Sequence, residues 1–388
     1  MTALEVSDDI INVDIFISRI QKGSSNIVFS SLSGFYLKTT DESLQEINNE
    51  QISFSNMLSG NMIVLNNKVY ALPLELYSES PIKFNDLTYS GHFKLKPATD
   101  NSINIINCID LEDYVAGVIS AEIGSNAPIE ALKAQAVATR TITIKKIINS
   151  KHSQDGYDLC NTVHCQVYHG LKNQSPASYR AAMETSGMIL LYNNEPIEAV
   201  YSSSCGGVTE CAQNLWGSRL DYLQVSIDSY CIIEENLTEW QKKHLNWQKE
   251  FTVSQLQQMF SVSNISSLKA SSVGENNTSQ NSDRIEKITI YSNKTVTIDG
   301  QYKIREAFNL PSTLFIIHTD NDTALDKLTR NTKIIFSGNG YGHGVGMCQT
   351  GAISRAKEGQ SYTEILDFYY PNTTIDAEWL LNHSAKER

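Results

Sequence analysis

Two adjacent helices, predicted between residues 111 and 140, constrain the fold more than any other part of the sequence. The segment reads L-E-D-Y-V-A-G-V-I-S-A-E-I-G-S-N-A-P-I-E-A-L-K-A-Q-A-V-A-T-R. Asp110 is suited to cap the first helix, and the Gly-Ser-Asn tripeptide at 124–126 is suited to end it. Pro128 fits the first turn of the second helix, where apolar residues recur at helical spacing among alanines. We therefore expect two closely packed helices joined by a short turn.

A single carboxylate, Glu122, falls on the apolar face of the first helix. At about 100° per residue it shares that face with Leu111, Val115 and Val118. Burial disfavours the charged form of a carboxyl group, so a half-buried glutamate holds its proton more tightly than one in water. Such carboxyl groups serve as general acids near neutral pH. The alternative is a solvated glutamate at a frayed helix end.

Composition excludes several classes of protein. The 388 residues are 41% hydrophobic and 19% charged, as in a globular protein of two or more domains. A net charge of −12 argues against a nucleic-acid-binding surface or a polybasic membrane patch. No apolar run approaches the roughly 20 residues that span a bilayer. The first ten residues lack the features of a signal peptide, so either the protein is cytoplasmic or the sequence begins after an export signal.

The pattern along the chain predicts an α+β protein with a β-rich N-terminal extension. Residues 1–95 contain an alternating run at 11–17 and strand-like runs around an Asn-Asn turn at 66–67, which indicates a scaffold or partner-binding domain. Residues 96–388 would form the second domain. Within it, residues 232–284 are polar and end in S-S-V-G-E-N-N-T-S-Q-N-S-D-R, which favours a flexible surface insertion.

The C-terminal part of the chain returns to regular elements. Strands are predicted at 285–291 and 294–298. A glycine-rich stretch is then followed by two helices, the second of which opens with a capping box, Ser361-x-x-Glu364.

A cluster of cysteines and histidines follows the second helix, in the segment H-S-Q-D-G-Y-D-L-C-N-T-V-H-C-Q-V-Y-H. Its candidate ligands are His152, Cys160, His164 and Cys165, with His169 as a spare. Two thiolates and two imidazoles match a tetrahedral zinc shell. The ion would be structural if four protein ligands close the shell and catalytic if only three do; the alternative is a loop with incidental cysteines.

The stretch Y-S-S-S-C-G-G-V-T-E, residues 201–210, follows a strand predicted at 196–201 and turns at two glycines. Three hydroxyls and a phenol at a strand end are suited to a polyhydroxylated ligand, although a simple hydroxyl-rich turn explains them equally. Cys205 and Cys211 could form a disulfide or stay as two thiols among the seven cysteines.

The stretch G-N-G-Y-G-H-G-V-G-M-C-Q-T-G-A places glycines at alternate positions from Gly338 to Gly346. In an extended chain they would share one side and expose backbone that a ligand or strand can approach closely. His343 lies among them and is a candidate site residue. No Gly-Lys-Ser/Thr follows, so this is not a phosphate-binding loop.

Taken together, these stretches resemble the stage II sporulation protein D (SpoIID) family of cell-wall lytic transglycosylases. The matching text is L-E-D-Y-V-A-G-V-I-S-A-E, E-A-L-K-A-Q-A-V-A-T-R-T, C-N-T-V-H-C-Q-V-Y, S-S-S-C-G-G-V-T-E with L-W-G, R-E-A-F-N-L-P-S-T-L-F, G-N-G-Y-G-H-G-V-G-M-C-Q-T-G-A and I-L-D-F-Y-Y-P. It covers about residues 89–231 and 285–375 in the family's order. The family's Met-Pro after the essential glutamate is replaced here by Ile123-Gly124, and Ser202 stands where a histidine is usual.

The resemblance implies cleavage of the β-1,4 bond between N-acetylmuramic acid and N-acetylglucosamine in peptidoglycan, with 1,6-anhydro ends as products. Glu122 would act as both general acid and general base, so the second carboxylate that ordinary glycosidases need is not required. If a second carboxylate does act, Glu210 is the candidate. The implied glycan-contacting residues are Arg140, Tyr201, Ser203, Ser204, Glu210 and His343.

The resemblance also implies a zinc ion that supports the substrate groove, held by His152, Cys160, His164 and Cys165, with His152 the farthest from the family pattern. It implies a location in the cell envelope, with peptidoglycan glycan strands as partner and a cell-wall amidase or other envelope protein as a further one. Two alternatives stay open. One is a non-catalytic glycan-binding regulator or scaffold that stimulates an amidase, and the other is a zinc hydrolase that uses the Cys/His site.

Overall fold

The computed structural model of the protein describes residues 11–21, 26–55, 61–100, 102–150, 152–272, 281–320 and 324–383. The first ten residues, where we looked for a signal peptide, and residues 273–280 of the predicted insertion lie outside these ranges. None of the described helices is long and apolar enough to cross a membrane.

The described strands are β1 (Asn12–Ile20), β2 (Ile27–Ser30), β3 (Phe35–Lys38), β4 (Leu44–Ile47), β5 (Gln51–Ser55), β6 (Met62–Leu65), β7 (Lys68–Ala71), β8 (Leu74–Tyr77), β9 (Ile82–Phe84), β10 (Leu87–Tyr89), β11 (His92–Pro97), β12 (Ile103–Asp110), β13 (Leu159–Cys160), β14 (Ile189–Tyr192), β15 (Glu195–Pro196), β16 (Tyr201–Ser202), β17 (Asn246–Thr252), β18 (Ser267–Ser272), β19 (Ile285–Tyr291), β20 (Val296–Asp299), β21 (Phe315–Thr319), β22 (Lys333–Asn339), β23 (Met347–Cys348) and β24 (Thr374–Asp376). The described α-helices are α1 (Leu111–Glu122), α2 (Ile129–Ile148), α3 (Pro176–Glu184), α4 (Ala212–Trp216), α5 (Glu239–Leu245), α6 (Val253–Met259), α7 (Gln301–Phe308), α8 (Gln349–Lys357), α9 (Tyr362–Tyr369) and α10 (Trp379–His383).

The chain divides into two compact units. The first unit comprises Met1–Glu198 and Ile375–Arg388, and the second comprises Ala199–Thr374. The division therefore does not fall near residue 95, where the sequence predicted a domain boundary. The physical reason is a shared core: buried side chains of the N-terminal strands, from Val13 onward, belong to the same hydrophobic cluster as those of α1 and α2. The α+β class itself is confirmed.

Two large, mostly antiparallel sheets lie in the described part of the first unit. The larger has the strand order β13-β1-β12-β11-β8-β3-β4 and the smaller the order β10-β9-β2-β5-β6-β7. The predicted alternation at 11–17 is β1, and the predicted Asn-Asn turn joins β6 to β7, with both asparagines at positive φ. Strand β12 is buried along almost its whole length, because both of its faces are covered.

Helix α1 starts directly at the end of β12. The Asp110 side chain accepts hydrogen bonds from the backbone N–H groups of Glu112 and Asp113, as predicted for a cap. The helix ends before Gly124, whose φ of 86° is left-handed, and α2 then begins after Pro128. Both helices and the turn between them are thus confirmed, and Glu122 is the last residue of α1.

The second unit contains three small sheets, ordered β16-β23, β17-β22-β21 and β18-β19-β20. The predicted strands at 285–291 and 294–298 correspond to β19 and β20, and the capping box at Ser361 opens α9. The prediction of a flexible insertion at 232–284 is wrong for residues 246–272. Strand β17 pairs along its length with β22, and Trp247 and Phe251 enter the core of this unit.

Candidate functional site

The carboxylate of Glu122 lies half-buried at the C-terminal end of α1. Leu111, Val115 and Val118, which share its helix face, are fully buried, as the periodicity predicted. The Glu122 Oε1 atom accepts a hydrogen bond from the backbone N–H of Val167 at 2.9 Å. The Val167 N–H thus helps to orient the carboxyl group of a side chain that is only partly buried, an arrangement that suits a general acid.

Val167 belongs to the loop between β13 and α3, and this loop is tied to both helices. Lys146 of α2 donates to the carbonyl oxygens of His164 and Cys165, each at 3.0 Å. The Gln166 amide donates to the Thr143 hydroxyl at 2.8 Å. These bonds hold the loop against α2 and so determine where the Val167 N–H points.

A close approach of the loop to α1 depends on Gly117. A Cβ atom at this position would lie 2.9 Å from the Tyr168 ring and 3.1 Å from the Gly170 carbonyl oxygen. Only glycine leaves room there, so the loop packs directly on the helix that carries Glu122.

The four predicted metal ligands of the first unit come together in this loop. One donor atom from each of His152, Cys160, His164 and Cys165 lies within 4.8 Å of all the others. The His164 Nδ1 atom is 3.5 Å from both sulfurs, and the His152 Nε2 atom is 3.4 Å from the Cys165 sulfur. His169, the spare candidate, is exposed and lies outside this group.

These distances fit a tetrahedral zinc shell. Zinc–sulfur bonds of about 2.3 Å and zinc–nitrogen bonds of about 2.0 Å place sulfur and nitrogen roughly 3.5 Å apart along a tetrahedral edge. Burial is the largest single effect and raises the pKa of the Cys160 thiol, but hydrogen bonds from Thr162 and Cys165 together outweigh it, so the pKa of Cys160 is lowered overall. A thiol with a lowered pKa ionises more readily, which suits a metal ligand.

The prediction that Arg140 contacts glycan, which followed from the resemblance, is wrong. The Arg140 side chain is fully buried and forms an ion pair with Glu112, through Nε to Oε1 at 2.8 Å and a second bond from NH2 to Oε2. The guanidinium also donates to the carbonyl oxygens of Ala182 and Met188. Arg140 therefore ties α2 to α3 and the segment before β14, and it has no surface with which to touch a substrate.

The hydroxyl-rich stretch of the second unit alternates between partly exposed and buried side chains. Tyr201 and Ser203 are partly exposed, whereas Ser202 and Ser204 are buried. The Ser204 hydroxyl lies 3.3 Å from the Cys231 sulfur, so the prediction that Ser204 contacts glycan is wrong. The prediction of a strand at 196–201 is wrong for residues 197–200, because β15 ends at Pro196 and β16 begins at Tyr201.

The prediction that Glu210 contacts glycan or acts as a second catalytic carboxylate is also wrong. The Glu210 carboxylate is fully buried and accepts hydrogen bonds from the Cys211 backbone, the Asn214 amide, the Ser282 hydroxyl and the Gln301 amide. With its oxygens engaged in this way, Glu210 is a structural group and cannot serve as the second carboxylate of a glycosidase.

The glycine-rich stretch is not an extended strand beyond Gly338, contrary to the expectation. Gly340, Gly342, Gly344 and Gly346 all have positive φ, between 71° and 110°. The predicted close approach is confirmed, since a Cβ at Gly346 would lie 2.0 Å from the carbonyl oxygen of a neighbouring residue and one at Gly340 would lie 2.7 Å from another. The stretch is thus a tight loop in which Gly340 and Gly346 face other backbone, while Gly342 and Gly344 face the side chains of Ser202 and Arg284.

His343 is partly exposed on this loop. Its Nδ1 atom accepts a hydrogen bond from the Val345 N–H at 3.0 Å, which leaves Nε2 as the protonated nitrogen of the neutral ring. Burial, followed by the positive charges of Arg305 and Arg284, lowers the pKa of His343 to about 4. The ring is therefore neutral near pH 7, and a hydrogen bond with the Tyr201 backbone partly opposes the lowering of its pKa.

Trp216 is a candidate that the sequence reasoning did not single out. It ends α4, is 42% exposed, and its ring centroid lies 5.8 Å from that of His343. An exposed indole suits the apolar face of a sugar ring. The available indication was the L-W-G tripeptide at 215–217, which belongs to the stretches that resemble the family.

Comparisons with known proteins agree with these features. Residues 99–192 match the family model of the stage II sporulation protein (SpoIID), and residues 211–346 match a domain of unknown function (DUF8618). The chain is 34% identical over 290 residues to stage II sporulation protein D of Bacillus subtilis, which covers 71% of this chain and 77% of that protein. It is 30% identical over 308 residues to an uncharacterized protein of Brachyspira hyodysenteriae, covering 79% and 77% of the two chains. The amidase enhancer of Bacillus subtilis is 29% identical over 303 residues, covering 67% of this chain and 40% of that protein.

Proposed function

The chain belongs to the SpoIID family, and from that premise we propose that it is a peptidoglycan lytic transglycosylase. It cleaves the β-1,4 bond between N-acetylmuramic acid and N-acetylglucosamine and leaves 1,6-anhydro-muramoyl ends. It acts in the cell envelope, where this polymer lies. The observation that supports the proposal best is the oriented carboxylate of the partly buried Glu122 side chain.

Glu122 performs both proton transfers. As the protonated acid it donates to the glycosidic oxygen, and the bond between that oxygen and C1 of the muramoyl residue breaks. As the carboxylate it then takes the proton from the C6 hydroxyl, whose oxygen bonds to C1 and closes the anhydro ring. Only one protein carboxylate is needed, because the substrate hydroxyl is the nucleophile. This requirement agrees with the burial of Glu210, the second carboxylate that we had considered.

The Cys/His group of the first unit holds a structural zinc ion. His152, Cys160, His164 and Cys165 supply four protein ligands, and a closed shell leaves no position for an activated water. When bound, the ion cross-links the loop that carries Val167, whose N–H orients Glu122. Four available ligands therefore disfavour the zinc-hydrolase alternative.

In the second unit, Tyr201, Ser203, His343 and Trp216 contact the glycan. All four are at least partly exposed, and they offer hydroxyl, imidazole and indole surfaces. These groups suit recognition of amino sugars by hydrogen bonds and ring stacking. They give the second unit a glycan-binding surface of its own and take no part in the proton transfers.

Product analysis tests the proposal. Wild type, Glu122→Gln and Glu130→Gln proteins would be incubated with intact peptidoglycan and with peptidoglycan stripped of stem peptides, and the products identified by mass spectrometry. Glu130 is a matched control, because it is likewise a partly buried helical glutamate, at the start of α2 and paired with Lys133. Anhydro-muramoyl ends from wild type and Glu130→Gln, but not from Glu122→Gln, support the enzyme. Their absence with wild type on both substrates would overturn it.

A second candidate function is stimulation of a cell-wall amidase, favoured by the similarity to the amidase enhancer. A non-catalytic regulator would raise the rate at which an amidase releases stem peptides, and Glu122→Gln would stimulate as well as wild type. Measuring peptide release by a purified cell-wall amidase, with each variant added, separates this function from the transglycosylase.

A further inference from the structure

Three cysteines and one aspartate of the second unit form another group of donor atoms, which the proposed function does not use. One donor atom from each of Cys205, Asp228, Cys231 and Cys348 lies within 4.8 Å of all the others, and all four residues are buried. They come from different parts of the chain: the loop after β16, the short helix at 229–232 with the residue before it, and β23. We propose that they form a second zinc site with a closed shell of three thiolates and one carboxylate.

The separations within the group match those between ligands of one tetrahedral ion. The sulfurs of Cys231 and Cys348 are 3.4 Å apart, and the Cys205 sulfur is 3.5 Å from Asp228 Oδ2. Zinc–sulfur bonds of about 2.3 Å and zinc–oxygen bonds of about 2.0 Å give tetrahedral edges of roughly 3.5–3.8 Å. Small adjustments of the four side chains would bring these separations to the values of a tetrahedral zinc shell.

The surroundings already supply the hydrogen bonds that such a shell needs. Backbone N–H groups of Cys205 and Gly351 donate to the Cys348 sulfur at 3.2 and 3.3 Å. The Tyr369 hydroxyl donates to Asp228 Oδ2 at 2.7 Å, and Arg355 donates to Oδ1 at 3.2 Å. Groups around metal ligands commonly orient them in this way.

The charges in this part of the core also fit. Three thiolates and a carboxylate around Zn²⁺ carry a net charge of −2. Two buried guanidinium groups stand beside the group, Arg355 on Asp228 and Arg284 on the Cys205 carbonyl oxygen at 2.7 Å. The Arg284 Nε and NH1 atoms have no hydrogen-bond partner within the described residues. Glu210 supplies one negative charge near Arg284, and a thiolate shell would supply a further one for this buried cation.

The competing explanation is a disulfide between Cys231 and Cys348, with Cys205 as a spare thiol. A disulfide would bond two of the three sulfurs to each other. It carries no charge, so it would not balance the positive charges of the two guanidinium groups. The envelope location proposed above would permit a disulfide, so the choice between the two explanations depends on measurement. The two explanations differ in metal content and in the number of free thiols, so both can be measured.

Metal content of the purified full chain tests the proposal. We expect two zinc ions per chain by elemental analysis, one after the double change Cys160→Ser with Cys165→Ser, and one after Cys231→Ser. Cys211→Ser is the matched control, because Cys211 is buried in the same unit but lies outside the group, and it should keep both ions. Thiol titration in denaturant with a chelator should find all seven cysteines reduced.

One zinc per wild-type chain that disappears with the Cys160/Cys165 change would overturn the second site, and so would a count of five thiols. If Cys231→Ser does not fold, cobalt loading of the Cys160/Cys165 variant decides. A tetrahedral shell of three thiolates gives intense thiolate-to-cobalt absorption, which Asp228→Asn should shift, and a spectrum without it contradicts the proposal. None of these readouts depends on glycan cleavage, so the second site and the transglycosylase can fail independently.

Discussion

The two units use the same kinds of side chain in opposite settings. In the first unit, Glu122 is partly accessible and His164 of the Cys/His group is exposed. In the second unit, Glu210, Asp228 and the cysteines of the second group are buried. A carboxylate with all of its hydrogen bonds made inside the protein has none left for a substrate, whereas the Glu122 side chain is only partly buried. Exposure, more than residue type, therefore separates the proposed catalytic carboxylate from the structural ones.

The largest effect is expected from Glu122→Gln. Removing the general acid should lower the rate of anhydro-end formation by about 10²–10⁴-fold, because an amide can neither donate nor accept the proton. Thermal unfolding should change little, since the glutamine carbonyl can still accept from the Val167 N–H. Turnover within a few-fold of wild type would contradict the role that we assign to the first unit.

Arg140→Met should cost the most stability. The change leaves the Glu112 carboxylate without its partner in a largely buried position, and breaking a buried pair typically costs about 3–5 kcal/mol. Urea unfolding followed by circular dichroism measures it. Arg180→Met, which removes an exposed pair with Glu184, is the control and should cost less than about 1 kcal/mol. If Arg140→Met were as stable as the control, Arg140 would not be the structural residue described.

Glu210→Gln tests whether the buried carboxylate of the second unit is structural. Glutamine cannot satisfy all four donors that surround the carboxylate, so we expect a loss of about 1–3 kcal/mol in the free energy of unfolding. The folded fraction should still cleave glycan at a rate similar to wild type. A selective loss of activity with unchanged stability would return Glu210 to the catalytic machinery.

Changes beside the two metal-ligand groups sharpen the comparison. Lys146→Met in the first unit and Tyr369→Phe in the second each remove a donor next to ligands, and such changes typically weaken metal binding about 10–100-fold. Competition with a chelator of known zinc affinity measures each site. Because the second group is buried, its zinc ion should also be lost to the chelator more slowly than the ion of the first group. Equal rates of zinc loss would contradict the difference in exposure between the two sites.

The smallest effect concerns pH. Burial is the main cause that lowers the pKa to about 4 for both His92 in the first unit and His343 in the second. Stability should be complete above the unfolded pKa of about 6.5 and fall as the pH drops towards 4, because only the unfolded chain binds protons there. Since both rings are partly exposed, we expect on the order of 1 kcal/mol each. His92→Asn and His343→Asn should each reduce the pH dependence of the free energy of unfolding. An unchanged pH dependence in either variant would show that the replaced histidine does not cause the loss of stability at low pH.

Local patterns predicted much of the fold. The helices α1 and α2, the Asp110 cap, the asparagine turn and the capping box at Ser361 all follow from neighbouring residues, whose preferences act within one or two turns. The Cys/His group was also predictable, because three of its ligands lie within six positions, from Cys160 to Cys165.

What the sequence could not predict depends on distant contacts. Arg140 and Glu210 look like surface residues by type, and only their partners from other segments show that both are buried. Cys205 and Cys348 are 143 positions apart and meet only after folding. The polar composition of residues 232–284 likewise hid β17, since the pairing that orders it comes from β22.

The pairing of β1 with β13 has a consequence for how the protein can be divided. Phe16 of β1 stands opposite Cys160, one of the candidate metal ligands, so the N-terminal strand forms part of the wall behind that ligand. The first 95 residues are therefore not a detachable accessory. A shortened protein starting at residue 96 would lose β1 and expose the edge of β12, and transplanting the Glu122 helices alone into another protein would leave the metal-binding loop without its support.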